Sequence, residues 1–193
     1  MLENVKQSFN GLFNAVETFI NDEENLKKVD EIGALFAKKF EAGNKILIAG
    51  NGGSLCDAIH FAEEFTGRYR KNRKPLPVIA LADNAHITCT ANDYGVEYIF
   101  SRMVEAYGKD EDSFIGISTS GNSENIIKAF ESAKNQGLYT VALLGKDGGK
   151  LKGIADTEWI IPAETSDRIQ EIHMAILHIL IEVVERHMFP ENY

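Results

Sequence analysis

Five short apolar runs alternate with helical stretches between residues 45 and 161, and this alternation limits the fold more than any other feature of the sequence. The runs are Lys45–Ala49, Pro77–Leu81, Ser113–Ser118, Thr140–Leu144 and Glu158–Ile161. Runs of about five apolar residues separated by helices are typical of βαβ units and a buried parallel sheet. Right-handed crossovers then predict an α/β fold, a three-layer αβα sandwich of the flavodoxin-like or Rossmann-like kind with a five-stranded parallel sheet.

Two amphipathic helices precede this pattern, over residues 1–43. Apolar residues recur at steps of three and four from Leu2 to Phe19, and again from Val29 to Phe40. Asn21 or Asp22 is the expected cap between the two helices, and Gly43 ends the second. We therefore expect an N-terminal helical hairpin that packs against the 44–193 core.

The last helix, expected over about 166–187, is apolar on two sides. One stripe contains Ile169, Ile172, Ile176, Ile179 and Val183, and the other contains Met174, Leu177, Ile181 and Val184. A helix with two apolar sides needs two partners. The sheet is one, and the other is either the N-terminal hairpin or another subunit, which predicts an oligomer.

Length and composition predict one domain over residues 1–193 and exclude several classes of function. A net charge of −9 opposes binding to nucleic acid or to a membrane surface, and no apolar run is long enough to span a bilayer. The first residues lack the layout of a signal peptide, so we expect a cytoplasmic protein. Cys56 and Cys89 form no CxxC pair and are expected to be reduced, buried thiols.

Two glycine-containing loops follow strands of the predicted sheet and could hold a phosphate. Gly50–Ser54 (GNGGS) follows the first strand, and Ser118–Ser123 (STSGNS) follows the third. Ligands bind beyond the carboxyl ends of parallel strands, where the free N–H groups of a following helix attract an anion. The alternative is that both loops are ordinary capped turns. The presence of two such loops at one edge of the sheet disfavours this alternative.

Neither loop belongs to a nucleotide-binding fingerprint. GxGxxG would need glycine at Leu55, and the segment Gly145–Lys150 lacks the GK[ST] ending of a Walker loop. A nicotinamide-dependent oxidoreductase is therefore disfavoured.

Histidines and carboxylates supply candidates for proton transfer or metal binding. His60 and Glu64 lie four residues apart and share a helix face. On the last helix, Gln170 and His178 are eight residues apart, or about 12 Å along an ideal helix. On a helical wheel His178 falls among acidic residues, so its plain interpretation is a solvated histidine. His173 and His187 are expected to be structural, and His86 stays ambiguous.

The chain resembles a known family over essentially its whole length. STSGNS is typical of sugar isomerase (SIS) domains. The motifs GNGGS, HFAEE at 60–64, TGRY at 66–69, Asn92-Asp93 and DRIQEIH at 167–173 are similar to those of bacterial phosphoheptose isomerases.

That resemblance implies a set of site residues. Glu64 and His178 match the acid/base pair of the family. The residues that match its ligands for a metal, usually zinc with one ion per subunit, are His60, Glu64, Gln170 and His178. Those that match its substrate contacts are Asn51, Gly52, Gly53, Asn92, Asp93, Ser118, Thr119, Ser120, Ser123 and Gln170.

The resemblance further implies an activity and an assembly. The activity is conversion of sedoheptulose 7-phosphate to D-glycero-D-manno-heptose 7-phosphate through an enediol, the first step towards activated heptose for surface glycans such as lipopolysaccharide. The assembly is a homotetramer with active sites at subunit contacts. The alternative is a non-catalytic SIS module that binds a sugar phosphate or a protein partner, which would not need Glu64 or His178.

Overall fold

The computed structural model describes residues 1–193 and contains a five-stranded, fully parallel sheet. Its strands are β1 (Ile46–Ala49), β2 (Val78–Ala80), β3 (Ser113–Ser118), β4 (Tyr139–Gly145) and β5 (Thr157–Ile161). The order across the sheet is β2-β1-β3-β4-β5, which is the flavodoxin-like order. The predicted α/β sandwich and all five predicted strands are confirmed, with ends that agree to within one residue.

Seven helices connect and cover the strands. They are α1 (Leu2–Ile20), α2 (Glu23–Glu41), α3 (Gly53–Thr66), α4 (Asn84–Asp93), α5 (Ser101–Tyr107), α6 (Glu124–Asn135) and α7 (Ser166–Met188). The two N-terminal helices are confirmed, and Asp22 caps α2 by accepting a hydrogen bond from the backbone N–H of Glu24 at 3.0 Å.

Two apolar cores lie on opposite faces of the sheet, because side chains alternate along each strand. In β3, Ile115 points into a core that holds Phe36 of α2 and Phe61 of α3. Its neighbour Phe114 points into the other core and stacks edge-on against Phe130 of α6. This arrangement gives the three layers.

The second partner of the two-sided helix α7 is α2. Apolar residues of both helices share the core on the Ile115 face. Gly33 of α2 lies directly against the Val183 side chain, and any side chain at this position would overlap it. By contrast, α1 leaves Phe9 and Phe13 about two-thirds exposed, at 68% and 63%.

The two cysteines are exposed free thiols, so the prediction that they are buried is wrong. Cys56 lies on the same side of α3 as Ile59 and Glu63, which also face outward. Cys89 lies on the outer side of α4, where its thiol donates a 3.4 Å hydrogen bond to Asp93. No helix is both long enough and apolar enough to cross a membrane.

Candidate active site

The two predicted loops lie side by side at the carboxyl edge of the sheet, because β1 and β3 are neighbouring strands. In the flavodoxin-like order this is the point where ligands bind. A reciprocal pair of amide hydrogen bonds, both 2.9 Å, joins Asn51 of the first loop to Asn125 at the start of α6. The loops are therefore held to each other as well as to the sheet.

The first loop exposes backbone at the start of α3. Gly52 precedes the helix with φ of 55°, a left-handed conformation that favours glycine. Gly53 follows, and a side chain there would lie 2.7 Å from the amide oxygen of Gln170. The N–H groups of Ser54 and Leu55 already donate to backbone carbonyls within the loop. The N–H group of Gly53, the first residue of α3, is therefore the one left for a ligand.

The second loop concentrates hydroxyl groups before α6. Ser118 and Ser123 lie 3.0 Å apart through their Oγ atoms. Thr119 Oγ1 lies 3.1 Å from Ser166 Oγ at the start of α7. Ser120 Oγ accepts a hydrogen bond from the Asn122 N–H at 3.2 Å. Hydroxyls can rotate towards an incoming acceptor, so the loop suits an anionic group with several oxygens.

A cluster of three titratable side chains forms where α3 and α7 meet. His60 Nε2 lies 3.1 Å from Glu64 Oε1, and the rings of His60 and His178 have centroids 5.0 Å apart. One potential ligand atom from each of the three lies within 4.8 Å of the others. Burial, and then the neighbouring His60, lower the pKa of His178, which favours a neutral imidazole with a free lone pair.

His178 is half-buried against α3, so its interpretation as a solvated histidine is wrong. Beyond His178, the acidic side of α7 meets the basic segment that follows α3. Arg70 pairs with Glu182 at 2.8 Å, and Arg73 pairs with Glu185 at 2.7 Å. These contacts lie one and two turns beyond His178 and join that side of α7 to the segment that follows α3.

Gln170 lies at the other end of the α3–α7 contact. Its amide nitrogen donates a 3.3 Å hydrogen bond to Ser54 Oγ, and its side chain touches Gly53. Two helix turns separate it from His178, as the spacing predicts. Gln170 thus lies with the first loop, while His178 lies with His60 and Glu64.

Asn92 and Asp93 lie exposed at the end of α4. Asn92 Nδ2 donates a 2.7 Å hydrogen bond to Asp93 Oδ1, and Cys89 reaches the other oxygen of Asp93. Their side-chain hydrogen bonds do not join them to either glycine-containing loop.

Two other histidines, His86 and His173, contact backbone carbonyl groups. His86 Nε2 lies 2.9 Å from the Ile99 carbonyl, which resolves its ambiguity in favour of a structural role. His173 Nε2 lies 2.9 Å from the Leu144 carbonyl. Burial lowers the pKa of His173 to about 4.

Two residues beside the candidate site were missed by sequence reasoning. Asp57 lies one turn before His60 on the same side of α3, and burial raises the pKa of its carboxyl group to about 6. The spacing of residues 57, 60 and 64 is a signal that could have found it. Asn125 had no such signal, because its pairing with Asn51 depends on tertiary structure.

The chain matches known proteins both at the level of a domain class and at the level of a narrower family. The SIS domain family model matches residues 11–145. A phosphoheptose isomerase of Fusobacterium nucleatum is 63% identical over 190 residues, which are 98% of each chain. One of Yersinia enterocolitica is 50% identical over 185 residues, 95% of this chain and 96% of the relative.

Solved structures give the same result. A phosphoheptose isomerase from Francisella tularensis superposes with a TM-score of 0.91 at 32% identity, over 96% of this chain and 98% of the other. One from Neisseria gonorrhoeae superposes with a TM-score of 0.85 at 34% identity, over 95% and 98%. The chain therefore belongs to the phosphoheptose isomerase family of SIS-domain proteins.

Proposed function

We propose that this chain is an aldose–ketose isomerase that converts sedoheptulose 7-phosphate to D-glycero-D-manno-heptose 7-phosphate. The observation that carries the proposal is the cluster of His60 and Glu64 of α3 with His178 of α7. The amino-terminal ends of these two helices lie beside the first glycine-containing loop. A module that only binds a sugar phosphate would need the loops but not this cluster. The family's named activity agrees with the cluster.

In this proposal the loops hold the substrate by its phosphate and hydroxyl groups. The hydroxyls of the second loop and the N–H groups that begin α3 and α6 bind the anionic end. Gln170, Asn92 and Asp93 serve as further substrate contacts. Holding the phosphate fixes the reacting carbons against the side-chain cluster, and such positioning supplies much of the rate of many enzymes.

Glu64 and His178 carry the proton transfers. One removes a proton from C1 of the ketose, and the other delivers a proton to C2 of the enediol, while the hydroxyl proton moves from O1 to O2. Acid/base catalysis of this kind contributes about 10²–10⁴-fold. The lowered pKa of His178 makes its neutral form available near neutral pH.

The three clustered side chains also fit a divalent metal, because two imidazoles and a carboxylate are typical zinc ligands. His60, Glu64 and His178 would hold the ion. A bound zinc ion would polarise the substrate carbonyl and stabilise negative charge that develops on it. A carboxylate that binds through one oxygen keeps the other as a base, and an imidazole that binds through one nitrogen keeps the N–H group of the other as a proton donor. The role of Gln170 as a fourth ligand stays a prediction.

A homotetramer is part of the proposal. On the single chain the His60 side chain is 45% exposed, so a neighbouring subunit could close the site. An apolar groove lined by residues of α1, α2 and α7 is also left open, as are Phe9 and Phe13 of α1. A single domain over 1–193, a cytoplasmic location and supply of heptose for surface glycans likewise stay predictions.

The function is tested by NMR of sedoheptulose 7-phosphate incubated in D₂O with the purified, zinc-loaded protein. We expect signals of the heptose 7-phosphate and deuterium at C2, because the enediol exchanges with solvent. Binding of the ketose without turnover would instead support the non-catalytic sugar-phosphate module. A second sample stripped of metal by a chelator measures the dependence on zinc.

A further inference from the structure

Arg73, which follows α3, has a side chain only 1% exposed. Its guanidinium donates 2.7 Å hydrogen bonds to the backbone carbonyls of Glu64 and Phe65. These carbonyls lie in the last turn of α3, where no intrahelical partner is available. The guanidinium of Arg73 therefore binds the backbone of Glu64, the residue whose carboxylate is proposed to transfer protons.

The remaining nitrogen of Arg73 reaches α7. Its Nε donates a 2.7 Å hydrogen bond to Glu185 Oε1, and the Glu185 side chain is also 1% exposed. Glu185 lies seven residues after His178, which is two turns further along the same side of the helix. Its second oxygen accepts a 2.9 Å hydrogen bond from the hydroxyl of Tyr193.

We infer that Arg73 and Glu185 are positioning residues that fix the separation of Glu64 and His178. This inference rests on the proposed function, in which those two side chains transfer protons. One planar guanidinium connects the backbone of Glu64 to the helix that carries His178, across 112 positions of sequence. Its fork of donors engages the carbonyls and the carboxylate at fixed angles, which a lysine ammonium cannot reproduce.

The Arg73–Glu185 pair differs from an ordinary ion pair of the fold in where it lies. Lys45 and Asp112 form such a pair at the amino ends of β1 and β3, opposite the edge where the loops lie. Loss of that pair should weaken the fold without moving α3 against α7. Asp112→Asn is therefore the matched control for Arg73→Lys and Glu185→Gln.

The experiment measures kcat, KM, thermal unfolding and zinc affinity for the wild type and these three variants. Zinc affinity is read by competition with a fluorescent chelator and does not depend on turnover. We expect Arg73→Lys to lower kcat by about tenfold to a hundredfold while KM changes by less than about twofold, because the phosphate loops are untouched. Its zinc dissociation constant should rise about tenfold.

Glu185→Gln keeps an oxygen acceptor for Arg73, so its effects should be in the same direction and smaller. It also keeps the inference testable if Arg73→Lys does not fold. Asp112→Asn should lower the unfolding temperature but leave kcat and zinc affinity as in the wild type. The inference is overturned if folded Arg73→Lys or Glu185→Gln matches Asp112→Asn in both readouts. A wild type that binds zinc without isomerising the ketose would refute the proposed function alone, and zinc affinity would still decide the positioning role.

Discussion

Asp57 shows how strongly the fold alters a single carboxyl group at the candidate site. One of its oxygens is buried without a hydrogen-bond partner, and burial raises its pKa from 3.8 to about 6, against the opposing effect of His60. Between these pH values the folded chain binds more protons than the unfolded chain. Stability therefore falls as pH rises from about 4 to 6, and the penalty persists at pH 7.

Asp57→Asn should remove this penalty. We expect the metal-free variant to be more stable than the wild type at pH 7 by about 1 kcal/mol, a value reduced for solvent screening because the group is only half-buried. The difference should shrink towards zero near pH 4. Urea unfolding at pH 4, 5, 6 and 7 measures it. Glu63→Gln, an exposed position on another side of α3, controls for the change of charge, and a constant difference at all four pH values would contradict the account.

At the scale of elements, the strands and loops were predictable because their signals are local. Apolar runs such as Ser113–Ser118 identify buried strands, and parallel strands necessarily bring their following loops to one edge. The shared face of His60 and Glu64 also follows from helical spacing alone. The helical wheel did not predict that the face of α7 that carries His178 packs against α3, because a wheel does not show which neighbour an acidic face contacts. Here Arg70 and Arg73 meet it.

The link between the two loops gives a prediction at the same scale. Asn125→Leu removes both hydrogen bonds to Asn51 and leaves that amide without its partner, so the first loop should lose its fixed position. We expect KM for the sugar phosphate to rise about tenfold, with a smaller change in kcat, since each bond contributes about 1 kcal/mol. Steady-state kinetics measure both constants.

Ser132→Ala is the control for that variant. Ser132 lies further along α6, and its hydroxyl donates a 2.9 Å hydrogen bond to Glu105 of α5, which the substitution removes. Its KM should equal that of the wild type. Equal KM values for both variants would show that the Asn51–Asn125 pair does not organise the phosphate site.

For the whole molecule, the exposed apolar face of α1 gives a prediction about assembly. Phe9 and Phe13 lie on one side of this helix together with Leu2, Val5, Val16 and Ile20. A contiguous apolar face of this kind marks an interaction site. Phe9→Lys with Phe13→Lys should therefore reduce the mass of the particle measured by light scattering, because burying two ammonium groups is unfavourable.

Gln7→Lys with Asn14→Lys adds the same charges on another side of α1 and should leave the mass unchanged. If both double variants have the wild-type mass, the apolar face of α1 is not a subunit contact.

Proton transfer by Glu64 and His178 is tested by the rate of heptose 7-phosphate formation, followed by NMR, for the wild type, Glu64→Gln and His178→Gln. The account predicts that both variants lose about 10²–10⁴-fold in kcat while they still bind sedoheptulose 7-phosphate. A variant that binds the ketose and isomerises it at the wild-type rate would contradict the assignment of that residue.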